Sequence, residues 1–153
     1  VPCHPLFKFY NTIGYTISTV IRLRGHHLIC LHFFSGEGYS DDFKAALRAL
    51  LKRAEAGEAV EVATGADDLC HECPYLEKGR CVYAEGADEE IRAMDDKALE
   101  LLGMEPGAHV RWPEIREKLP AVFRQWARFY CAGCTWKRTC LENPLWKSLS
   151  NRG

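Results

Sequence analysis

No apolar run in these 153 residues reaches the ~18 that a bilayer-spanning helix requires; Arg22, Arg24 and the His26-His27 pair break up the one candidate. A membrane partner is therefore not expected. Charge of one sign is also lacking. Lys and Arg total 20 against 21 Asp and Glu, so no net field draws the chain to nucleic acid, and that class of partner is disfavoured. There is no internal repeat, low-complexity stretch, glycine-rich phosphate loop or Ser-His-Asp ordering, which removes solenoids and the commonest nucleotide and acyl-transfer signatures. In Val1 to Val20, Pro5, Asn11, Gly14 and Thr16 interrupt any continuous apolar stretch. A secretory leader is therefore not expected there, and cytoplasmic localisation is.

What is present is a balanced composition, 47% apolar and 27% charged, suited to one compact domain. The charges are unevenly placed. Fifteen acidic and four basic residues lie between Ala54 and Glu105, against three acidic and nine basic from Pro106 onward, so the two regions can pack on each other or dock a charged partner.

Periodicity predicts a mainly helical α+β fold, a small single domain with short strands and cysteine-rich loops around a metal or cluster site. Ile21–Arg24 alternates as a strand, and Gly25 admits a sharp entry into a short helix over 27–34. Ser40 caps a helix carrying Phe43, Ala46, Leu47, Leu50 and Leu51 and stopping at Gly57. Residues 59–63 alternate as a second strand. Ile91, Met94, Ala98, Leu99 and Leu102 form the stripe of a helix over 88–102, closed by Gly103. Trp112-Pro113 opens one short helix and Pro120 another, and the chain is expected to end irregularly after Asn143-Pro144. The domain reading is an N-terminal extension over 1–20, a cysteine-rich domain over 21–141 and a tail over 142–153.

Eight cysteines dominate the chemistry. Cys70, Cys73 and Cys81 form C-x2-C-x7-C; Cys131, Cys134 and Cys140 form C-x2-C-x5-C; Cys30 stands alone, and Cys3 is set aside as a non-ligand. A C-x2-C turn places two thiolates where one metal ion or a cluster can span them. Disulfides, the rival reading, would close strained short loops here and suit a secreted framework. A zinc ribbon joins two such knuckles across ~15–20 residues, but 57 residues separate Cys73 from Cys131, and one zinc uses four ligands rather than seven. An iron-sulfur cluster, one or two of them and four-iron rather than two-iron, is favoured, with zinc as the alternative. Cys30 with Cys70, Cys73 and Cys81 would complete one four-thiolate site, leaving Cys131, Cys134 and Cys140 an open position or a ligand such as His26 or His27. Both C-x2-C pairs on one site is the other grouping.

His26 and His27 fall within a helical turn of Cys30 and are candidate ligands or catalytic acid/base groups. His71 lies inside a knuckle and reads as structural; His32 and His109 belong to no constellation. Trp112, Trp126, Trp136 and Trp146 with Phe129 and Tyr130 read as core or as shielding for a cluster rather than as a base-stacking surface. Lys137 and Arg138 stand where they offset thiolate charge.

Together, Arg24-Gly25-His26-His27-Leu28-Ile29-Cys30, Cys70-His71-Glu72-Cys73-Pro74 and Cys131-Ala132-Gly133-Cys134 resemble a prokaryotic family known as domain of unknown function 1284, over about Ile21 to Cys140. That resemblance implies iron-sulfur binding, provisionally described for the family, and no particular reaction. The expectation is an iron-sulfur protein for electron transfer or redox sensing with a redox protein as partner. The alternatives are a zinc-stabilised adaptor for protein or nucleic acid, and an enzyme with an open cluster iron served by His26 or His27.

Overall fold

The computed structural model describes residues 20–152. All but the last residue of the expected 1–20 extension, with Cys3, lies outside the described residues. In chain order come β1 (Ile21–Arg24), α1 (Gly25–Cys30), a 3-10 turn (Leu31–Phe33), α2 (Asp41–Glu55), β2 (Val60–Ala63), a second 3-10 turn (Cys70–Glu72), β3 (Leu76–Glu77) and β4 (Arg80–Cys81). Then follow α3 (Ala87–Leu102), β5 (His109–Val110), α4 (Trp112–Trp126), a π-helical turn (Ala127–Cys131), α5 (Lys137–Cys140) and α6 (Pro144–Ser150). This is the mainly helical α+β fold that the patterning predicts, and no described helix is long and apolar enough to cross a membrane.

The helices with clear caps form where expected. Ser40 Oγ accepts from the Phe43 N–H at 3.1 Å, and α2 carries Asp41 and Asp42 in its first turn and Lys52 and Arg53 in its last, each sign opposing the helix dipole. Its Phe43, Leu47, Leu50 and Ala54 are buried. α3 begins with Asp88, Glu89 and Glu90 and buries Ala98, Leu99 and Leu102.

β1 runs parallel to β2, Ile21 opposite Val60 through Arg24 opposite Ala63, and β5 adds antiparallel to β2 with Val110 opposite Val60. Ile21 and Leu23 point into the core while Arg22 faces solvent; Arg24 breaks the alternation by being buried. α1 starts at once. A Cβ on Gly25 would stand 2.3 Å from the Asp95 carbonyl oxygen and 2.7 Å from its Cα, so a glycine is what lets the start of α1 press against α3. β3 and β4 form a hairpin with Leu76 opposite Cys81. Its two turn residues, Lys78 and Gly79, have φ of 49° and 76°, as the tight hairpin turn that matches strand twist demands.

Three expectations are corrected. The helix expected over 27–34 is α1 over 25–30 followed by a 3-10 turn. The two short helices expected around Pro113 and Pro120 are one helix, α4, with Pro120 inside it. An interior proline forfeits one backbone hydrogen bond, but Ile115, Leu119, Val122, Phe123 and Trp126 are buried on either side of it, and that continuous apolar stripe holds the helix together. The tail expected to be irregular contains α6: Asn143 Oδ1 accepts from the Leu145 N–H at 2.9 Å with Pro144 in the first turn, a capped helix start. Trp146 and Leu149 of α6 enter the same core as β1 and α4. Trp112, Trp126 and Trp146 are all buried, which makes them packing residues.

Candidate metal centres

All seven described cysteines carry free thiols. Both knuckles close in the same way, the Cys73 N–H donating to the Cys70 carbonyl at 3.0 Å and the Cys134 N–H to that of Cys131 at 3.2 Å. The first follows β2 on its 3-10 turn; the second follows α4 through the π-helical turn, a local widening common at functional sites. In the first triplet the β3–β4 hairpin folds Cys81 back toward Cys73. The Cys81 N–H donates to Asp88 Oδ1 at 2.9 Å, which pins the hairpin to the start of α3.

The structure redistributes Cys30. Burial pushes its thiol above the ordinary range, and the charges of Cys131, Cys134 and Cys140 push it further. These are its neighbours, so the geometry joins Cys30 to the second triplet, not to Cys70, Cys73 and Cys81 as one expected grouping had it. The chain thus presents a four-thiol set and a three-thiol set. Burial, then the neighbouring thiols, raises Cys131 and Cys140 to about 11; burial, then the Asp67 charge, raises Cys70 to about 12. Thiols held this high are poor nucleophiles and unlike those of a redox-active dithiol, which needs a depressed value; a bound metal would displace their protons. Among the described residues the buried Trp126 Nε1 has no conventional hydrogen-bond partner, yet it lies close enough to the Cys30 sulfur to favour its thiolate.

The three-thiol set lines a cavity of about 80 Å³ together with Arg24, His26 and His27. Each imidazole is tied to its own carboxylate. His27 Nδ1 lies 2.6 Å from Asp67 Oδ2 and His26 Nδ1 lies 2.7 Å from Asp95 Oδ1, the two rings 4.2 Å apart between centroids. Asp67 is 1% exposed and also accepts from the Arg24 N–H at 2.8 Å and the Cys70 N–H at 2.9 Å. Burial opposes its charge, but the His27 interaction and these backbone donors outweigh burial and hold it below the ordinary carboxylate range. Asp95 accepts from Arg24 Nε at 2.7 Å and from the His26 N–H at 3.0 Å. Burial, then the charge of His27, lowers His26 to about 4.

Arg24 completes the wall. It is 2% exposed; Nη1 reaches Cys70 Sγ at 3.6 Å, and Nη2 is buried with no partner among the described residues. A cluster of aromatic rings touches both thiol sets. Tyr39 packs on Tyr75, Tyr83 and Trp136 with centroids 5.0–5.5 Å apart. Trp136 donates from Nε1 to Tyr39 Oη at 3.3 Å and from its backbone to Cys134 Sγ at 3.4 Å.

Among the residues named from sequence, His71 is exposed outside the cavity. His32 is buried and stacked on Trp112 at 3.8 Å, and His109 lies on β5 at 3.6 Å from Glu61. Sequence reasoning passed over Asp67 and Asp95. Asp95 did leave a signal: it stands four residues after Ile91 and four before Leu99, a charge on the apolar stripe of α3.

The model of the family described as protein of unknown function (DUF1284) matches residues 38–140, and the chain belongs to that family. Both triplets lie inside the match, while β1, α1 and Cys30 precede it. No curated protein and no solved structure matches the chain.

Proposed function

We propose that this DUF1284 member is an iron-sulfur protein with two centres, one held by Cys30, Cys131, Cys134 and Cys140 and the other by Cys70, Cys73 and Cys81. The observation that carries this reading is the gathering of the seven described thiols, none bonded to another of them, into two separate sets. The donor chemistry fits the group. Among the described residues no three cysteine sulfurs lie within 4.8 Å of one another, whereas thiolates around one tetrahedral zinc at ~2.3 Å are about 3.8 Å apart; the wider spread suits a polynuclear group. Arg24 Nη2, buried and unpartnered among the described residues, is a donor waiting for an acceptor such as a cluster sulfur.

A bound cluster supplies one-electron chemistry, with a potential set by burial and by hydrogen bonds to its sulfurs. Arg24 would donate beside the three-thiol centre and Trp126 beside the four-thiol centre. Electron transfer is the use this supports: one electron accepted from a reduced protein partner and passed to an oxidised one, in a cytoplasmic setting that keeps the thiols reduced.

The test is an absorption spectrum of protein purified without oxygen, before and after dithionite. A brown sample whose broad visible absorption bleaches on reduction is expected. A colourless sample with stoichiometric zinc overturns the reading in favour of a zinc-stabilised adaptor.

A further inference from the structure

The first triplet offers three thiols, one short of a four-ligand set, and two imidazoles, those of His26 and His27, line the same cavity. Among the described residues, the set of three metal-ligating side chains whose ligand atoms lie within 4.8 Å of one another is His27, Asp67 and Cys70. Asp67 is already committed: its two oxygens receive the Arg24 N–H, the Cys70 N–H and His27 Nδ1. It therefore acts as the anchor from which both the Cys70 turn and the His27 ring are hung. The 2.6 Å contact of Nδ1 with Asp67 is part of the closeness of that set; with Nδ1 so tied, Nε2 is the ring atom left to bind metal on the cavity that His27 shares with the three thiols. That carboxylate-imidazole pairing is the usual outer-shell arrangement of a metal-bound histidine, fixing both tautomer and ring orientation. His26 Nδ1 is likewise tied to a carboxylate, that of Asp95, but it is Asp67 that also accepts from the Cys70 N–H, and among the described residues no ligand set within 4.8 Å includes His26.

We infer that His27, through Nε2, is the fourth ligand of the centre held by Cys70, Cys73 and Cys81, with Asp67 as its positioning residue. This rests on the iron-sulfur reading above. It makes the two centres unlike: one all-thiolate, one with a neutral imidazole in place of a thiolate. Exchanging thiolate for imidazole removes negative charge and raises the reduction potential, so the centre held by His27 would have the higher potential of the two. The buried Arg24 guanidinium beside Cys70 acts in the same direction.

The test is pulsed electron paramagnetic resonance on anaerobically purified, reduced protein, at natural abundance and with 15N-labelled histidine. The expected result is a nitrogen coupling typical of a directly bound imidazole, changed by the label, lost in His27→Ala and retained in His26→Ala. His27→Cys should keep its iron and shift that centre to lower potential. Iron signals without any histidine nitrogen coupling in the unsubstituted protein overturn the assignment while leaving the iron-sulfur reading intact, as does a coupling that persists in His27→Ala. Protein that binds no iron fails the underlying reading, and the assignment with it.

Discussion

Asp67→Asn is the substitution whose effect can be worked out most fully. The carboxylate is buried and receives two donors on Oδ2, the Arg24 N–H and His27 Nδ1, and one on Oδ1, the Cys70 N–H. An asparagine is closest to neutral when its oxygen takes the Oδ2 place, and even then its NH2 group faces the Cys70 N–H. One charge-assisted bond is lost and a buried donor is left unpaired, together about 2–4 kcal/mol. For a chain of this size about 4 °C of melting temperature goes with each kcal/mol, so a fall of about 8–16 °C is expected by far-ultraviolet circular dichroism at pH 7, with metal content measured alongside. Asp68→Asn is the control. It removes the charge from one bond accepted from the Arg22 N–H at an exposed position and should cost under about 1 kcal/mol. If Asp67→Asn melts within about 2 °C of the unsubstituted chain, or no lower than Asp68→Asn, the anchor role of Asp67 is refuted.

Gly25→Ala places a methyl 2.3 Å from the Asp95 carbonyl oxygen, and because that neighbour is helix backbone the cost should lie near the upper end of the ~1–3 kcal/mol range for overpacking; an unchanged urea midpoint would contradict the close α1–α3 approach. His32 is lowered to about 4 by burial first and then by the Arg116 charge. Between that value and ~6.5 the unfolded chain binds a proton that the folded one does not, so stability falls as pH drops through this window. The Leu28, Ile29 and Trp112 backbone close to the ring favours the protonated form only weakly against burial, so His32→Phe, which keeps the stack on Trp112, should flatten the decline between pH ~6.5 and about 4. Urea titrations at both values check this, and an unaltered slope counts against it.

The parts of the fold legible in the sequence are those governed by neighbours along the chain. Ser40, the acidic first turn and a five-residue apolar stripe specify α2 without help from elsewhere. Pro120 misleads because the force that overrides it, burial of Leu119, Val122 and Phe123 against other elements, is tertiary. Asn143-Pro144 carries the cap of α6, but the short segment after it becomes helical only with Trp146 and Leu149 in the core. The cysteines mark themselves as candidate ligands by spacing alone. Their grouping is not legible, since Cys30 precedes both triplets and only the fold decides which it joins. The two carboxylates are hidden for the same reason: Asp67 reaches Arg24 across 43 residues and Asp95 across 71.

The central claim is that seven thiols form two independent iron-sulfur centres, and the most direct test is iron and acid-labile sulfide per chain in anaerobically purified Cys30→Ser, Cys73→Ser and the double variant. The account predicts that each single variant loses part of the iron and keeps the rest, and that the double variant loses both parts. A double variant holding as much iron as either single one would show that Cys30 and Cys73 serve the same centre and would contradict the account.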